Sequence, residues 1–127
     1  MSLKVAIFED DKDLADLLKE MMEEKDFVVT NFYSMKDSAW LKSDVVLADF
    51  RNQIVPFAAV VADCQKNGIP VIAISGGETG FKPQVLKPFS IEEMQAVILE
   101  QMMNSKESHS KSNDDKFSLF YLFKRSS

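Results

Sequence analysis

The sequence predicts an α/β fold in which helices cover both faces of a doubly wound, five-stranded parallel sheet. Short apolar runs alternate with segments whose apolar residues recur at helical spacing, which is the pattern of consecutive β-α units. The run at 45–48, Val-Val-Leu-Ala, is continuously apolar and therefore typical of a strand buried on both faces. A length of 127 residues with 46% hydrophobic residues suits one globular domain.

Composition excludes several classes of protein. A net charge of −5 without a dense basic block argues against a nucleic-acid surface. The single cysteine, Cys64, excludes an internal disulfide and a multi-cysteine metal site, and its spacing from Val60 and Val61 predicts a buried packing residue. No apolar run approaches the roughly 20 residues that span a bilayer, and we see no signal peptide. We therefore expect a cytoplasmic protein.

The first half of the chain contains three predicted strands, at 3–8, 27–32 and 44–48. Leu14, Leu17, Leu18 and Met21 recur at helical spacing after the first strand, with Asp11 or Asp13 near the helix start. A short helix is predicted at 34–42, with Ser34 as its cap.

The second half continues the alternation. A helix is predicted at 54–67 and ends at Gly68, followed by a strand at 69–75, a loop, and a short strand at 84–87. Ser90 and Glu93 form a capping box that opens the last helix. Its apolar positions are Ile91, Met94, Val97, Ile98 and Met102.

The composition changes after Met103. Residues 104–116 are polar and predict a linker, in which His109 is expected to be solvated. Residues 117–123, Phe-Ser-Leu-Phe-Tyr-Leu-Phe, are dense in aromatics and too short to cross a membrane. We accordingly predict a domain at 1–103, a linker at 104–116 and an apolar C-terminal segment at 117–127.

Polar residues cluster where the predicted strands end. Glu9, Asp10 and Asp11 follow the first strand and Asp49 the third, Ser75 ends the fourth, and Lys87 ends the fifth. Because ligands bind at the carboxyl ends of such strands, these residues predict a site. Clustered carboxylates suit Mg²⁺, and a lysine and a hydroxyl suit phosphoryl oxygens. One carboxylate is then a candidate nucleophile that forms an aspartyl-phosphate. For any single residue, helix capping or simple ion pairing is the competing explanation.

Four motifs together resemble a response-regulator receiver domain, the phosphoacceptor of two-component signalling. They are VAIFEDDKDLADLL at 5–18, VVLADF at 45–50, PVIAIS at 70–75 and VLKPFS at 85–90, and the resemblance covers about residues 3–103. It implies a flavodoxin-like sheet in the order 2-1-3-4-5. It also implies that a histidine kinase or histidine phosphotransfer protein is the phosphoryl donor. The domain would catalyse its own phosphorylation and dephosphorylation without being an enzyme on another substrate.

The same resemblance implies a role for each site residue. Asp49 would be the phosphoacceptor, and Lys87 would be the lysine that the family's sites contain. Ser75 would supply the switch hydroxyl, which turns toward the phosphoryl group. Glu9 and Asp10 would be the acid pair, with Asp10, Asp49 and the backbone carbonyl of Arg51 binding Mg²⁺. The Lys87–Pro88 bond would be cis.

Three features depart from the family pattern. Gln84 occupies the position of the usual switch aromatic, and Phe81 is a weak candidate substitute. The eight residues 76–83 are fewer than the 10–12 or so of a crossover with a helix, so the family's fourth helix, which joins strands four and five, is predicted to be reduced or lost. The loop after Asp49 lacks the usual proline and glycines, and its Arg51 is placed to affect phosphoryl lifetime.

These departures leave alternatives open. The apolar segment 117–123 is predicted to cover the face that the missing helix vacates, in its own molecule or in a homodimer, unless it is a free end or a docking peptide for another protein. The chain is either a working receiver with an unknown output partner or a degenerate receiver that acts as an interaction module. An aspartate-nucleophile phosphatase is disfavoured, because Arg51 stands where a second aspartate is expected.

Overall fold

The structure, a computed structural model, describes residues 2–109, with side chains described through residue 104. Five strands alternate with three α-helices and one 3₁₀ helix. In chain order these are β1 (Lys4–Phe8), α1 (Lys12–Glu23), β2 (Val28–Asn31), the 3₁₀ helix (Ser38–Lys42), β3 (Val45–Asp49), α2 (Phe57–Asn67), β4 (Val71–Ser75), β5 (Gln84–Leu86) and α3 (Ile91–His109).

All strands are parallel, and the sheet has the order β2-β1-β3-β4-β5, which confirms the predicted topology. Phe8 at the end of β1 is paired with Ala48 of β3, and Asp49 is paired with Ile74 of β4. The carboxyl ends of these three strands are therefore level. Residues that directly follow β1 and β4 are consequently placed beside Asp49.

The sheet separates two apolar clusters. On one face, Met22 of α1 and Ile98 of α3 are buried against the strands. On the other face, Trp40 of the 3₁₀ helix and Val60 and Cys64 of α2 are buried. Cys64 is thus a packing residue, and burial raises the pKa of its thiol to about 12.

Capping residues fix most helix ends as the sequence predicted. The Asp11 carboxylate accepts a hydrogen bond from the Leu14 backbone N–H at 3.2 Å. The Ser90 hydroxyl accepts from the Glu93 N–H at 3.0 Å, and the Glu93 carboxylate accepts from the Ser90 N–H at 3.1 Å, which completes the capping box. Gly68 closes α2 with φ of 70°, a left-handed conformation that glycine adopts without strain.

The predicted Ser34 cap is wrong. The 3₁₀ helix begins at Ser38, and the Asp37 carboxylate caps it by accepting from the Ala39 N–H at 2.9 Å. The Ser34 hydroxyl instead accepts from the Lys36 N–H at 3.0 Å within the preceding turn. Ser34 and Asp37 both offer a side-chain oxygen that can cap a helix. Asp37 directly precedes the 3₁₀ helix and is therefore the residue that caps it.

The start of α2 also differs from the prediction, being Phe57 rather than residue 54. The carboxamide oxygen of Asn52 accepts hydrogen bonds from the N–H groups of Ile54 and Val55, both at 2.8 Å. These bonds form an Asx-type turn. Pro56 then disfavours helical backbone at Val55 and has a non-helical ψ of 129° itself, so α2 begins at Phe57.

The last helix extends through His109 and so includes the first residues of the predicted linker at 104–116. The rest of that range and the apolar segment at 117–127 lie outside the described residues. Among the helices that the structure describes, none is long and apolar enough to cross a membrane.

A loop replaces the family's fourth helix, as the short spacing predicted, and no helix lies between β4 and β5. The ring of Phe81 in this loop packs edge-on against Phe57 at a centroid distance of 5.0 Å and joins the α2-side cluster. Val71 and Ala73, the apolar residues of β4 on this face, remain buried. The loop thus performs part of the covering that a helix would provide.

We expect Phe81→Ala to lower the free energy of unfolding by about 2 kcal/mol, below the 3–5 kcal/mol of a fully buried phenylalanine because Phe81 is only partly buried. Ile54→Ala is the control, since Ile54 is 57% exposed and its loss should change stability by less than about 0.5 kcal/mol. Urea denaturation measures both. Equal effects would show that Phe81 does not close this face.

Candidate functional site

Three carboxylates meet at the carboxyl edge of the sheet. Glu9 and Asp10 directly follow β1, and Asp49 ends β3. One carboxylate oxygen from each lies within 4.8 Å of the other two. Glu9 is 2% exposed and Asp49 is 7% exposed, so two of the three charges are largely removed from water. The level strand ends therefore produce the acid cluster that the sequence predicted.

Lys87 is the cation that faces this cluster. Its ammonium nitrogen lies 3.3 Å from Glu9 Oε1 and 3.6 Å from Asp49 Oδ1. Its backbone N–H donates to the Ser75 carbonyl at 2.7 Å, which fixes the end of β5 against β4. The Lys87–Pro88 bond that follows is cis, as the resemblance implied. One lysine thus contacts two buried acids from two different strands.

Backbone donors hold the acid pair in place. The Asp11 N–H donates to Glu9 Oε2 at 3.1 Å, and the Gln53 N–H donates to Asp10 Oδ2 at 3.0 Å. Sequence reasoning missed Gln53, because a main-chain donor carries no residue-type signal. Asparagine favours such turns, so Asn52 is the one local indication in the sequence that the Gln53 N–H points out of regular secondary structure.

The charges in the cluster are not balanced. Burial raises the pKa of Asp49, with repulsion from Asp10 adding to it and attraction from Lys87 opposing it. Burial also raises the pKa of Glu9, and the charge of Asp49 adds to that rise. The Gln53 hydrogen bond lowers the pKa of Asp10, which keeps that carboxylate ionised. Three acids against one ammonium leave a deficit of positive charge.

This donor set fits Mg²⁺. The ion prefers hard oxygen ligands, few protein donors and retained waters, and the cluster offers three carboxylates with unmet negative charge. Arg51 lies exposed in the turn after β3, where its backbone N–H interacts with the Asp49 carboxylate and partly lowers the pKa of that group. The backbone of Arg51 is therefore at the site.

Ser75 ends β4, one residue beyond the Ile74 that pairs with Asp49. Its side chain is buried, and its hydroxyl oxygen accepts a hydrogen bond from the Gly77 N–H at 3.2 Å. Ser75 is thus close to Asp49 in the register of the sheet, and its hydroxyl is linked to the start of the loop that replaces the family's fourth helix.

Gln84 ties the same loop to β5. Its side-chain oxygen accepts from the Thr79 hydroxyl at 2.7 Å and from the Thr79 backbone N–H at 3.1 Å. The Thr79 hydroxyl oxygen in turn accepts from the Phe81 N–H at 2.9 Å. Phe81 packs on Phe57 of α2 and does not replace an aromatic at position 84. A polar link therefore stands where the family pattern has a switch aromatic.

We expect Asp49→Asn to raise the free energy of unfolding at pH 7 by about 1 kcal/mol, because it removes a buried charge that is incompletely paired. The magnitude is the low end of the cost of such a buried group. The raised pKa of Asp49 means that the native state binds its proton more tightly than the unfolded chain does. Wild-type stability therefore falls as pH rises from the ordinary value of about 4 through the raised pKa. The advantage of the variant should shrink as the pH is lowered through that interval.

Urea denaturation from pH 4 to pH 8, an interval that begins at the ordinary carboxyl pKa of about 4, measures this difference. Glu100→Gln is the matched control, because Glu100 is exposed on α3. A pH-independent difference between Asp49→Asn and the native chain would contradict the inferred charge imbalance.

Solved structures of receiver domains resemble this chain over most of its length. A CheY-like receiver domain from Methanospirillum hungatei has a TM-score of 0.72 and 15% identity, covering 85% of this chain and 99% of that chain. A receiver protein from Sinorhizobium medicae gives 0.69 and 19%, covering 82% and 97%. A two-component response regulator from Clostridium difficile gives 0.66 and 18%, covering 80% and 98%.

No protein-family model and no curated protein sequence matches the chain. At these identities the similarity lies in the fold, and it agrees with the flavodoxin-like sheet order observed here. The chain has the fold of a response-regulator receiver domain, with a loop in place of that family's fourth helix.

Proposed function

We propose that this chain is a two-component signalling receiver that accepts a phosphoryl group onto Asp49 from a phosphohistidine. A histidine kinase or a histidine phosphotransfer protein would be the donor. The observation that carries the proposal is the meeting of Asp49, the acid pair and Lys87 at one edge of a receiver fold. The proposal places the protein in the cytoplasm, acting through protein partners.

In the proposed reaction, a carboxylate oxygen of Asp49 attacks phosphorus. The P–O bond forms as the P–N bond to a ring-protonated phosphohistidine breaks, and neutral imidazole leaves with the electron pair. Lys87 is near enough to Asp49 to contact a phosphoryl oxygen, and Ser75 offers a hydroxyl from the neighbouring strand. Attack by water on the aspartyl-phosphate would later release phosphate and restore the carboxylate.

Asp10, Asp49 and the Arg51 carbonyl would hold Mg²⁺, with Glu9 beside them. The bound ion would supply positive charge to the phosphoryl oxygens. The backbone N–H of Gln53 holds Asp10 and keeps it ionised for this role. Buried Glu9 orients Lys87, because its carboxylate lies 3.3 Å from the ammonium. Positioning and charge compensation by these groups account for the catalysis that the chain itself would contribute.

A groove of about 510 Å³ opens next to the site, between α1 and the segment that precedes α3. Leu17, Pro88 and Phe89 line it beside Lys87, and Leu17 is 50% exposed. An exposed apolar surface at the edge of the proposed phosphoacceptor site suits a helical protein donor. We therefore assign the donor to this side of the molecule.

Incubation with acetyl phosphate and Mg²⁺, followed by intact mass measurement, tests the proposal. The native chain should gain one phosphoryl group, and the gain should be absent without Mg²⁺ and in Asp49→Ala. Asp63→Ala, on α2, is the control and should be phosphorylated normally. Lys87→Ala should slow the reaction about 100- to 1,000-fold, as loss of a transition-state charge contact does. Phosphorylation that persists in Asp49→Ala would contradict the assignment.

The second candidate is a degenerate receiver that binds partners without phosphorylation. The loss of the family's fourth helix and the glutamine at position 84 favour it. Under this alternative the folded native chain takes up no phosphoryl group and does not bind Mg²⁺. The same assay therefore separates the two candidates.

If Asp49 is phosphorylated, the signal should leave through Ser75 and the loop 76–83. A Ser75 hydroxyl drawn to the phosphoryl group gives up its bond to Gly77, and the Gln84–Thr79 link passes the change to β5. We expect Gln84→Met, which keeps the side-chain length, to raise amide hydrogen exchange in this loop about tenfold, equal to roughly 1.4 kcal/mol. The exchange difference between phosphorylated and unphosphorylated protein should then shrink.

Lys82→Met is the matched control for this prediction. It removes the exposed ion pair between Lys82 and Glu78 without touching the Gln84–Thr79 bond. Equal effects of the two variants on the phosphorylation-dependent exchange would exclude Gln84 as the link.

A further inference from the structure

A second apolar groove, of about 580 Å³, opens at the opposite edge of the sheet from the acid cluster. It lies where β1, β3 and β4 begin, between the 3₁₀ helix and the C-terminal half of α3. The apolar side chains that line it include Leu3, Leu41, Ile69, Leu99, Met102 and Met103.

The apolar lining of this groove is only partly buried. Leu99 is 39% exposed, and Met102 and Met103 of the next turn are only partly buried. Charged and polar groups, Lys42 and Asp44 among them, stand in the same lining. A contiguous apolar surface that polar groups border is typical of a binding surface.

The chain leaves the described structure next to this groove. Leu99, Met102 and Met103 line the groove, and α3 continues from them to His109, about 9 Å further at 1.5 Å per residue. The sequence continues for 18 residues past His109, and its apolar part is 117–123, with six apolar residues out of seven. Residues 110–116 join His109 to Phe117 by eight Cα–Cα steps and can span about 26–29 Å when extended. They are therefore long enough to bring the apolar segment back over that distance.

The other apolar surfaces suit this segment less well. Phe81 and its loop already cover part of the face without the family's fourth helix, although Leu86 there is 43% exposed. The groove beside Lys87 lies at the start of α3, about 27 Å along the helix from His109. Residues 110–116 would have to be almost fully extended to bring Phe117 there, whereas the groove at Leu99, Met102 and Met103 lies well within their reach.

We propose that residues 117–123 of the same chain occupy the groove lined by Leu99, Met102 and Met103. The short tether holds the segment at an effective concentration of order millimolar, which favours its own groove over a second molecule at ordinary protein concentrations. Packing there also removes from solvent an aromatic segment that would otherwise promote aggregation. This proposal is independent of the phosphoryl chemistry at the other edge.

Paramagnetic broadening in the full-length chain tests the proposal. A nitroxide is attached to Ser118→Cys, and the native Cys64 stays unlabelled because it is fully buried with a raised thiol pKa. Amides of Ile69 and Met103 should broaden strongly, and those of Leu17, Gln53 and Leu86 should not. Broadening at Leu17 or Leu86, or none at Ile69 and Met103, would overturn the proposal.

Two variants and one mixed sample separate the remaining explanations. Leu99→Lys, at an exposed groove position, should abolish the broadening, whereas Ala96→Lys, an exposed α3 residue outside the groove lining, should preserve it. Loss of broadening in both variants would overturn the specific docking. The mixed sample contains two kinds of chain: one carries the nitroxide but no NMR isotope, and the other carries the isotope but no nitroxide. No broadening is expected in this mixture. Broadening in that mixture would show that the segment docks on a second molecule and would overturn the same-chain arrangement.

Discussion

The pairing of Lys87 with Glu9 and Asp49 is the interaction on which the site depends. Glu9 and Lys87 directly follow β1 and β5, and Asp49 ends β3. The contact therefore forms only when these three strands are in register. Two acids of this kind are costly to bury, and one ammonium does not compensate them fully, as the raised pKa values of both carboxylates indicate. The fold therefore holds an excess of negative charge at the edge of the sheet, which a bound cation would offset.

The loop 76–83 shows how this fold functions without a crossover helix. A helix would bury β4 with a regular apolar face, whereas the loop relies on one aromatic side chain, Phe81, and on a polar link between Thr79 and Gln84. Both devices are local, and they leave Leu86 of the edge strand partly exposed. The same loop begins at Ser75, so its conformation and the position of that hydroxyl are coupled through the Gly77 hydrogen bond.

The sequence predicted most of the fold and the charged part of the candidate site. Buried parallel strands are continuously apolar, and their ends are marked by the residues that close them, so Asp49 and Lys87 were identifiable from position alone. Boundaries failed where two nearby residues both offer a cap oxygen, as with Ser34 and Asp37, or where Pro56 keeps Val55 outside α2. The Gln53 donor and the Thr79–Gln84 link depend on loop geometry, which periodicity does not encode.

Helix α3 runs from the edge of the sheet that carries the acid cluster to the edge that carries the second groove. Its capping box fixes the chain directly after Lys87, while Leu99 and Met102 contribute to the groove at the other edge. Between them Met94 and Ile98 are fully buried against the sheet, so moving the helix along its axis would disrupt close packing. Occupation of the groove is therefore expected to act on stability and not on the acid cluster. If Asp49 is phosphorylated as proposed, the shorter route for its signal is through Ser75 and the loop 76–83.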